Sequence, residues 1–158
     1  MHLLKPFGLI VAALVALTVA ACSNEAAARV RQVVSTTSFG MCVGYCTTRL
    51  EISEGQAVLI RSARSGRGAS DKPDQRFTAT LEPGEWQEIA RLAENTKLDG
   101  LPETIGCPDC ADGGAESLTI VGSTGSKQIT FEHGATIEQA QPLLDRVRAL
   151  RAKLMPKE

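Results

Sequence analysis

Surplus charge of either sign is missing from this sequence. Its 158 residues carry 17 Lys and Arg against 18 Asp and Glu, a net charge of −1 with histidine neutral. Nucleic-acid binding wants a strongly basic face, so no nucleic-acid partner is expected. Histidine is scarce, with two in the chain, and only His133 lies beyond the N-terminal segment. No nucleophile–His–carboxylate set can be assembled around it. It ends a strand before Gly134, where a solvent-facing side chain is expected. No internal repeat is visible, and no second apolar span follows the first. These absences leave a small domain without a visible catalytic set. The expectation is a non-enzymatic binding or structural module with no cofactor and no metal.

The apolar run that is present has a specific form. Lys5 supplies a positive start, and no charged residue stands between Phe7 and Ala21. The run is too short to span a bilayer comfortably, which takes about 20 apolar residues. It ends in Val19-Ala20-Ala21-Cys22, which resembles the lipobox of bacterial lipoproteins. A peptidase must close around extended backbone there, so the residues before the cleavage point are small. The thiol of Cys22 is the nucleophile that accepts the diacylglycerol. Residues 1–21 are therefore expected to be an export signal, and Cys22 the lipidated first residue of a membrane-anchored envelope protein. Ser23 follows. Asp at that place retains enterobacterial lipoproteins in the inner membrane, so its absence favours the outer membrane, on the periplasmic side. Removing the signal takes away one lysine and no acid, which moves the net charge to about −2.

The rest reads as a tether over residues 22–31 and a single domain over 32–158, long enough for a real core. Val30 to Thr37 has the β-branched content of a strand. Cys46, Thr48, Leu50 and Ile52 alternate with Thr47, Arg49 and Glu51, the pattern of a half-buried strand. Glu54-Gly55 turns the chain into a returning strand over 57–60. Ser62 to Pro73 is a polar loop. Phe77, Ala79 and Leu81 alternate again. A helix is predicted from Pro83, with Trp86, Ile89, Ala90 and Ala93 as its apolar stripe. Leu118 and Ile120, then Ile129 and Phe131, mark two further strands joined at Gly122 to Gly125. Thr136 and Gln139 have the spacing of a capping box. A last helix follows with Leu143, Val147, Leu150 and Leu154 at helical spacing. The expected architecture is α+β: an antiparallel sheet with two helices packed on one face.

With Cys22 acylated, Cys42, Cys46, Cys107 and Cys110 remain. An even number in an exported domain points to disulfides. If Cys46 is in a strand and Cys42 lies just before it, their Cα atoms are too far apart unless the Gly44 segment folds back, since a bridge needs about 4.4–6.8 Å. Links between the two pairs are therefore favoured, although the pairing itself stays open. Two other chemistries fit the spacing. The four thiolates could hold a tetrahedral zinc, and Cys107-Pro108-Asp109-Cys110 has the spacing of thiol–disulfide oxidoreductases. That chemistry usually needs its first Cys at a helix N-terminus, whereas Ala111-Asp112-Gly113-Gly114 has the composition of a turn.

Other clusters read more plainly. Asp109, Asp112 and Glu116 could offer oxygens to calcium, but their spacing fits no known loop, and a turn into a strand is expected. Gly122 to Lys127 lacks the spacing of a phosphate-binding loop and opens no helix, so a hairpin is expected. Arg61, Arg64, Arg67, Lys72 and Arg76, diluted by Asp71 and Asp74, form a basic loop. It could touch anionic headgroups or cell-wall polymers, and a solvated loop is the plainer expectation.

Ser38-Phe39-Gly40-Met41-Cys42, followed by Tyr45 and an alternating strand, resembles a bacterial family of small exported domains of unknown function. Its members are often lipoproteins and carry a phenylalanine–glycine–x–cysteine signature just before a strand. Glu85-Trp86 and the stretch from Ile105 to Glu116 are similar to the same group. The likeness covers about residues 32–154, nearly the whole mature domain. The resemblance implies an α+β fold and implies no reaction. The lipid anchor and the lack of a catalytic set, not the resemblance, give the expected partners: the membrane, through Cys22, and an envelope protein or the cell wall.

Overall fold

The computed structural model describes residues 29–64 and 66–157. The expected signal segment and Cys22 lie outside the described residues. The first half of the chain builds a run of strands: β1 (Val30–Ser38), β2 (Thr47–Ser53), β3 (Gln56–Ser62) and β4 (Gln75–Thr80), of which β2 and β4 keep period-two alternation. Then come helix α1 (Glu85–Asn95), strands β5 (Thr104–Ile105), β6 (Ala115–Gly122) and β7 (Ser126–Glu132), and helix α2 (Gln141–Leu154). The sheet order is β4-β3-β2-β1-β6-β7-β5. All neighbours are antiparallel except β5, which lies parallel to β7. The α+β class is as expected. Two-residue β5 was not expected, because two residues carry no readable alternation. The first strand begins at Val30, inside the stretch assigned to the tether.

Both helices start later than predicted. Gly84 adopts a left-handed φ of 96°, so Pro83 stays in the preceding turn and α1 opens at Glu85. Glu85 accepts the backbone N–H of Glu82 at 2.8 Å. The capping box at Thr136 and Gln139 does not form. A short 3-10 turn, Glu138–Ala140, comes first, and the Gln141 side chain accepts the Ile137 N–H at 3.2 Å. Pro142 sits in the first turn of α2, where its missing N–H costs nothing. The glycine-rich segment after β6 is a hairpin turn, with Gly122 N–H donating to Gly125 O at 2.7 Å.

Strand register stacks the inward side chains into rows that cross the sheet. One row runs Ala79, Ala57, Ile52, Val33, Ile120, and the next runs Phe77, Leu59, Leu50, Ser35, Leu118, Ile129. Ile89 and Ala93 of α1 join one cluster with Leu143, Leu144, Val147 and Leu150 of α2 and with these strand residues. Both helices thus cover the same face of the sheet. Trp86 packs against the cluster from its margin. Each fully buried Leu or Ile contributes about 2 kcal/mol, so this layer carries most of the stability. Arg146 of α2 ties the helices together through Glu85 at 2.8 Å and Glu88 at 3.2 Å. Among the described residues, no helix is long and apolar enough to cross a membrane.

The third inward row differs in kind. It runs Gln75, Arg61, Thr48, Thr37, Glu116 and Phe131. Five polar side chains in register cannot be left under an apolar layer without partners. The partners of Arg61 and Glu116 define one end of the molecule.

Candidate functional site

β1, β3 and β7 end, and β2, β4 and β6 begin, at the same end of the sheet. The loops 39–46, 63–74 and 106–114 therefore converge there, and they carry all four cysteines of the domain. The structure pairs Cys42 with Cys46, Cα atoms 5.6 Å apart, and Cys107 with Cys110, 5.4 Å apart. The favoured links between the two pairs are thus corrected to local bridges. The reason lies at Gly44, whose φ of +94° folds the segment back. That is the one geometry under which the first pair can close. In the second loop Asp109, Ala111 and Asp112 all hold left-handed φ values of 61°, 51° and 60°. This tight turn brings Cys110 N–H to Cys107 O at 3.1 Å.

The two cysteine loops nevertheless meet. Gly40 N–H donates to Asp109 Oδ1 at 3.2 Å. Asp109's carboxylate lies so close to Gly40 that a side chain there would overlap it. Gly114, at φ +81°, lies under the Phe39 ring, and a methyl group on it would overlap that ring. Phe39 also packs edge-on against His133, centroids 4.9 Å apart. Loop 63–74 closes over the first disulfide loop, with Arg67 N–H on Gly40 O at 3.0 Å and Gly68 N–H on Cys42 O at 3.2 Å. Behind these loops, the polar row and the C-terminal part of α2 enclose a cleft of about 480 Å³.

Glu116 is the anchor of that cleft, 1% exposed. Its Oε2 accepts Arg148 Nε at 3.0 Å and Arg148 Nη2 at 2.8 Å, and its Oε1 accepts Arg151 Nη2 at 2.9 Å. Arg148 Nη2 also donates to Ala135 O at 2.9 Å, and Arg151 Nη2 to the Ser35 hydroxyl. Burial alone would raise the Glu116 pKa. The Arg148 hydrogen bonds and the Arg151 charge outweigh it and hold the carboxyl below its ordinary range. Arg61 reaches the same cleft from β3. It lies over the Tyr45 ring, 5.1 Å from the centroid, and donates through Nη1 to Gln75 at 3.2 Å. Tyr45 is fixed in turn by its hydroxyl on Pro73 O at 3.1 Å.

No family model matches the chain, and no curated protein matches it. The cleft is therefore read from its own chemistry.

Of the residues singled out in the sequence, His133 lines the cleft as an exposed strand end. Arg61 leaves the basic loop and turns inward, whereas Arg64 stays exposed beside Asp74 at 3.8 Å. Asp109, Asp112 and Glu116 do not gather, since Glu116 points into the core side and Asp109 serves Gly40. As disulfides the four cysteines offer no thiolate to zinc. Among the described residues no group of His, Cys, Asp or Glu is placed to hold a metal. Cys107 and Cys110 are exposed, and Cys110 opens only a three-residue 3-10 turn. That turn lacks the helix dipole a reactive thiolate draws on. Sequence reasoning missed Arg148 and Arg151. The signal was there: both fall on the edge of the α2 stripe, four residues after Leu144 and Val147.

Proposed function

We propose that this protein is a lipid-anchored module of the bacterial envelope, held by Cys22 in the outer membrane on its periplasmic side, that binds a partner and catalyses no reaction. The observation that carries the address is Val19-Ala20-Ala21-Cys22 at the end of an uncharged run behind Lys5. Four cysteines bridged in two pairs suit an oxidising compartment. The partner is an envelope protein or the cell wall, and the polar cleft at the cysteine end is where it would dock. Membership of the exported family with the phenylalanine–glycine–x–cysteine signature belongs to the same proposal. It has a physical basis: Phe39 covers Gly114, Gly40 makes room for Asp109, and Cys42 closes on Cys46.

Anchoring is tested by labelling cells with a radioactive fatty acid and fractionating them. The wild-type chain is expected to take up label and pellet with membranes. Cys22→Ser is expected to lose both the label and the cleavage after Ala21. Labelled, membrane-bound mature protein from that variant would refute the lipid anchor.

A second reading, thiol exchange through Cys107-Pro108-Asp109-Cys110, is favoured by the exposure of that bridge. Catalytic turnover in an insulin-reduction assay would establish it.

A further inference from the structure

The polar cleft is unbalanced in charge. Three guanidiniums line it, those of Arg61, Arg148 and Arg151, against the single carboxylate of Glu116. With His133 neutral that leaves a net charge of two positive. Glu116 is shared between Arg148 and Arg151. Among the described residues Arg61 has no carboxylate at ion-pair distance. Its neutral partner Gln75 takes one hydrogen bond, and its Nε is buried without any. Arg151 Nε is likewise buried and unpartnered. A guanidinium with a buried, unpaired N–H is held at a cost, which the charge of an anion against its outer nitrogens would offset.

The arrangement is also stiff. Arg61 is braced by the Tyr45 ring and by Gln75, and Tyr45 by Pro73. A braced planar fork loses little freedom when it grips a carboxylate through paired N–H donors. Nη2 of Arg61 and Nη1 of Arg148 and Arg151 are donors that no described residue accepts. Phe39, Tyr45 and Met155 add apolar surface to the same lining. Arginine forks next to apolar surface fit an organic acid better than a bare inorganic ion.

We propose that this cleft binds an organic carboxylate, with Arg61 as the guanidinium that meets it. The inference deepens the binding-module reading and rests on it for the idea that a ligand exists. It does not depend on the lipid anchor.

The test uses the full chain in detergent micelles and follows the arginine Nε–Hε signals by two-dimensional nuclear magnetic resonance. The probes are acetate, benzoate, acetyl-dialanine, the C-terminal amide of acetyl-dialanine, and inorganic phosphate. The expected result is a saturable shift of the Arg61 signal with at least one carboxylate and none with the amide. Arg61→Gln should weaken that binding about ten-fold or more with an unchanged melting temperature. Arg61→Lys should restore part of it, and Arg76→Gln, which removes an equal charge from the far face, should leave it unchanged. If Arg61→Gln alters the melting temperature, the Lys variant and the acid–amide comparison decide the matter. Tighter binding of phosphate than of every carboxylate would overturn the ligand class. Equal response to acid and amide, or no saturable shift with any probe, would overturn the site. A chain that takes up fatty acid and pellets with membranes yet shifts with no probe keeps its anchor and loses this cleft.

Discussion

Glu116 carries the largest burden of any single residue. It is an acid on the buried face of a central strand, and the fold tolerates it only because two arginines reach it. Pairing of this kind adds little net stability compared with an apolar substitute, but removing one partner leaves charge stranded. Glu116→Gln is expected to cost about 3 kcal/mol in urea unfolding at neutral pH. The pH dependence has a definite sign. The folded carboxyl has a lowered pKa, so its contribution is complete above the unfolded value of about 4.3 and fades as pH falls through the lower folded value. The stability gap between wild type and Glu116→Gln should therefore narrow on acidification below about pH 4.3. A gap that stays constant well below that pH, or widens there, would show that Glu116 is not held ionised by the arginines. Thr48 was legible as an inward residue from its place in the β2 alternation. Glu116 was not, because the strand pattern became readable only at Leu118, two residues later.

At the scale of elements, loops and strand ends set the site. Loop 106–114 reaches the sheet by passing Gly114 under Phe39, so it needs both a left-handed backbone and the absence of a side chain at one position. Gly114→Ala is expected to destabilise the protein by about 2 kcal/mol, combining backbone strain with displacement of the Phe39 ring. The Phe39 and His133 ring signals should shift, since those rings touch. A variant as stable as wild type with unmoved rings would refute this packing. β3 extends to Ser62, beyond the readable run 57–60, because β2 and β4 pair with it on both sides. That extension carries Arg61 out of the loop to which its neighbours belong and into the polar row. Charged residues at a strand end look like loop residues until the partner strands are known.

For the whole molecule, the cysteines decide how stability is shared. Bridges between the two loops would have closed some 65 residues, worth about 4 kcal/mol in lost chain entropy. The observed bridges close segments with sequence separations of 4 and 3, each worth about 2 kcal/mol by the same relation. Cohesion between the distant parts of the sheet then rests on strand pairing and on the single helix-covered core. Reduction should lower the unfolding midpoint yet leave a cooperative, folded domain. The pairing is read from tryptic peptides without reduction. Residues 32–49 and 98–127 each contain one whole pair, so each peptide should run alone and two hydrogens lighter than its reduced form. A covalent link between those peptides, or loss of cooperative unfolding on reduction, would contradict the local bridges.

Local pattern alone determined much of this protein. The period-two runs placed β2, β4, β6 and β7, β-branched content placed β1, and the helical stripes placed α1 and α2, because composition, alternation and amphipathicity are properties of neighbouring residues. Only the tertiary structure decided which cysteines join, where β5 adds to the sheet, and that Arg61, Glu116, Arg148 and Arg151 share one cleft. Those facts depend on strand register and on loops dozens of residues apart meeting at one end of a sheet. No window of sequence contains that information. A polar residue at the end of each of five strands looks unremarkable one strand at a time, and becomes a charged row only when hydrogen-bonded pairing lines the strands up.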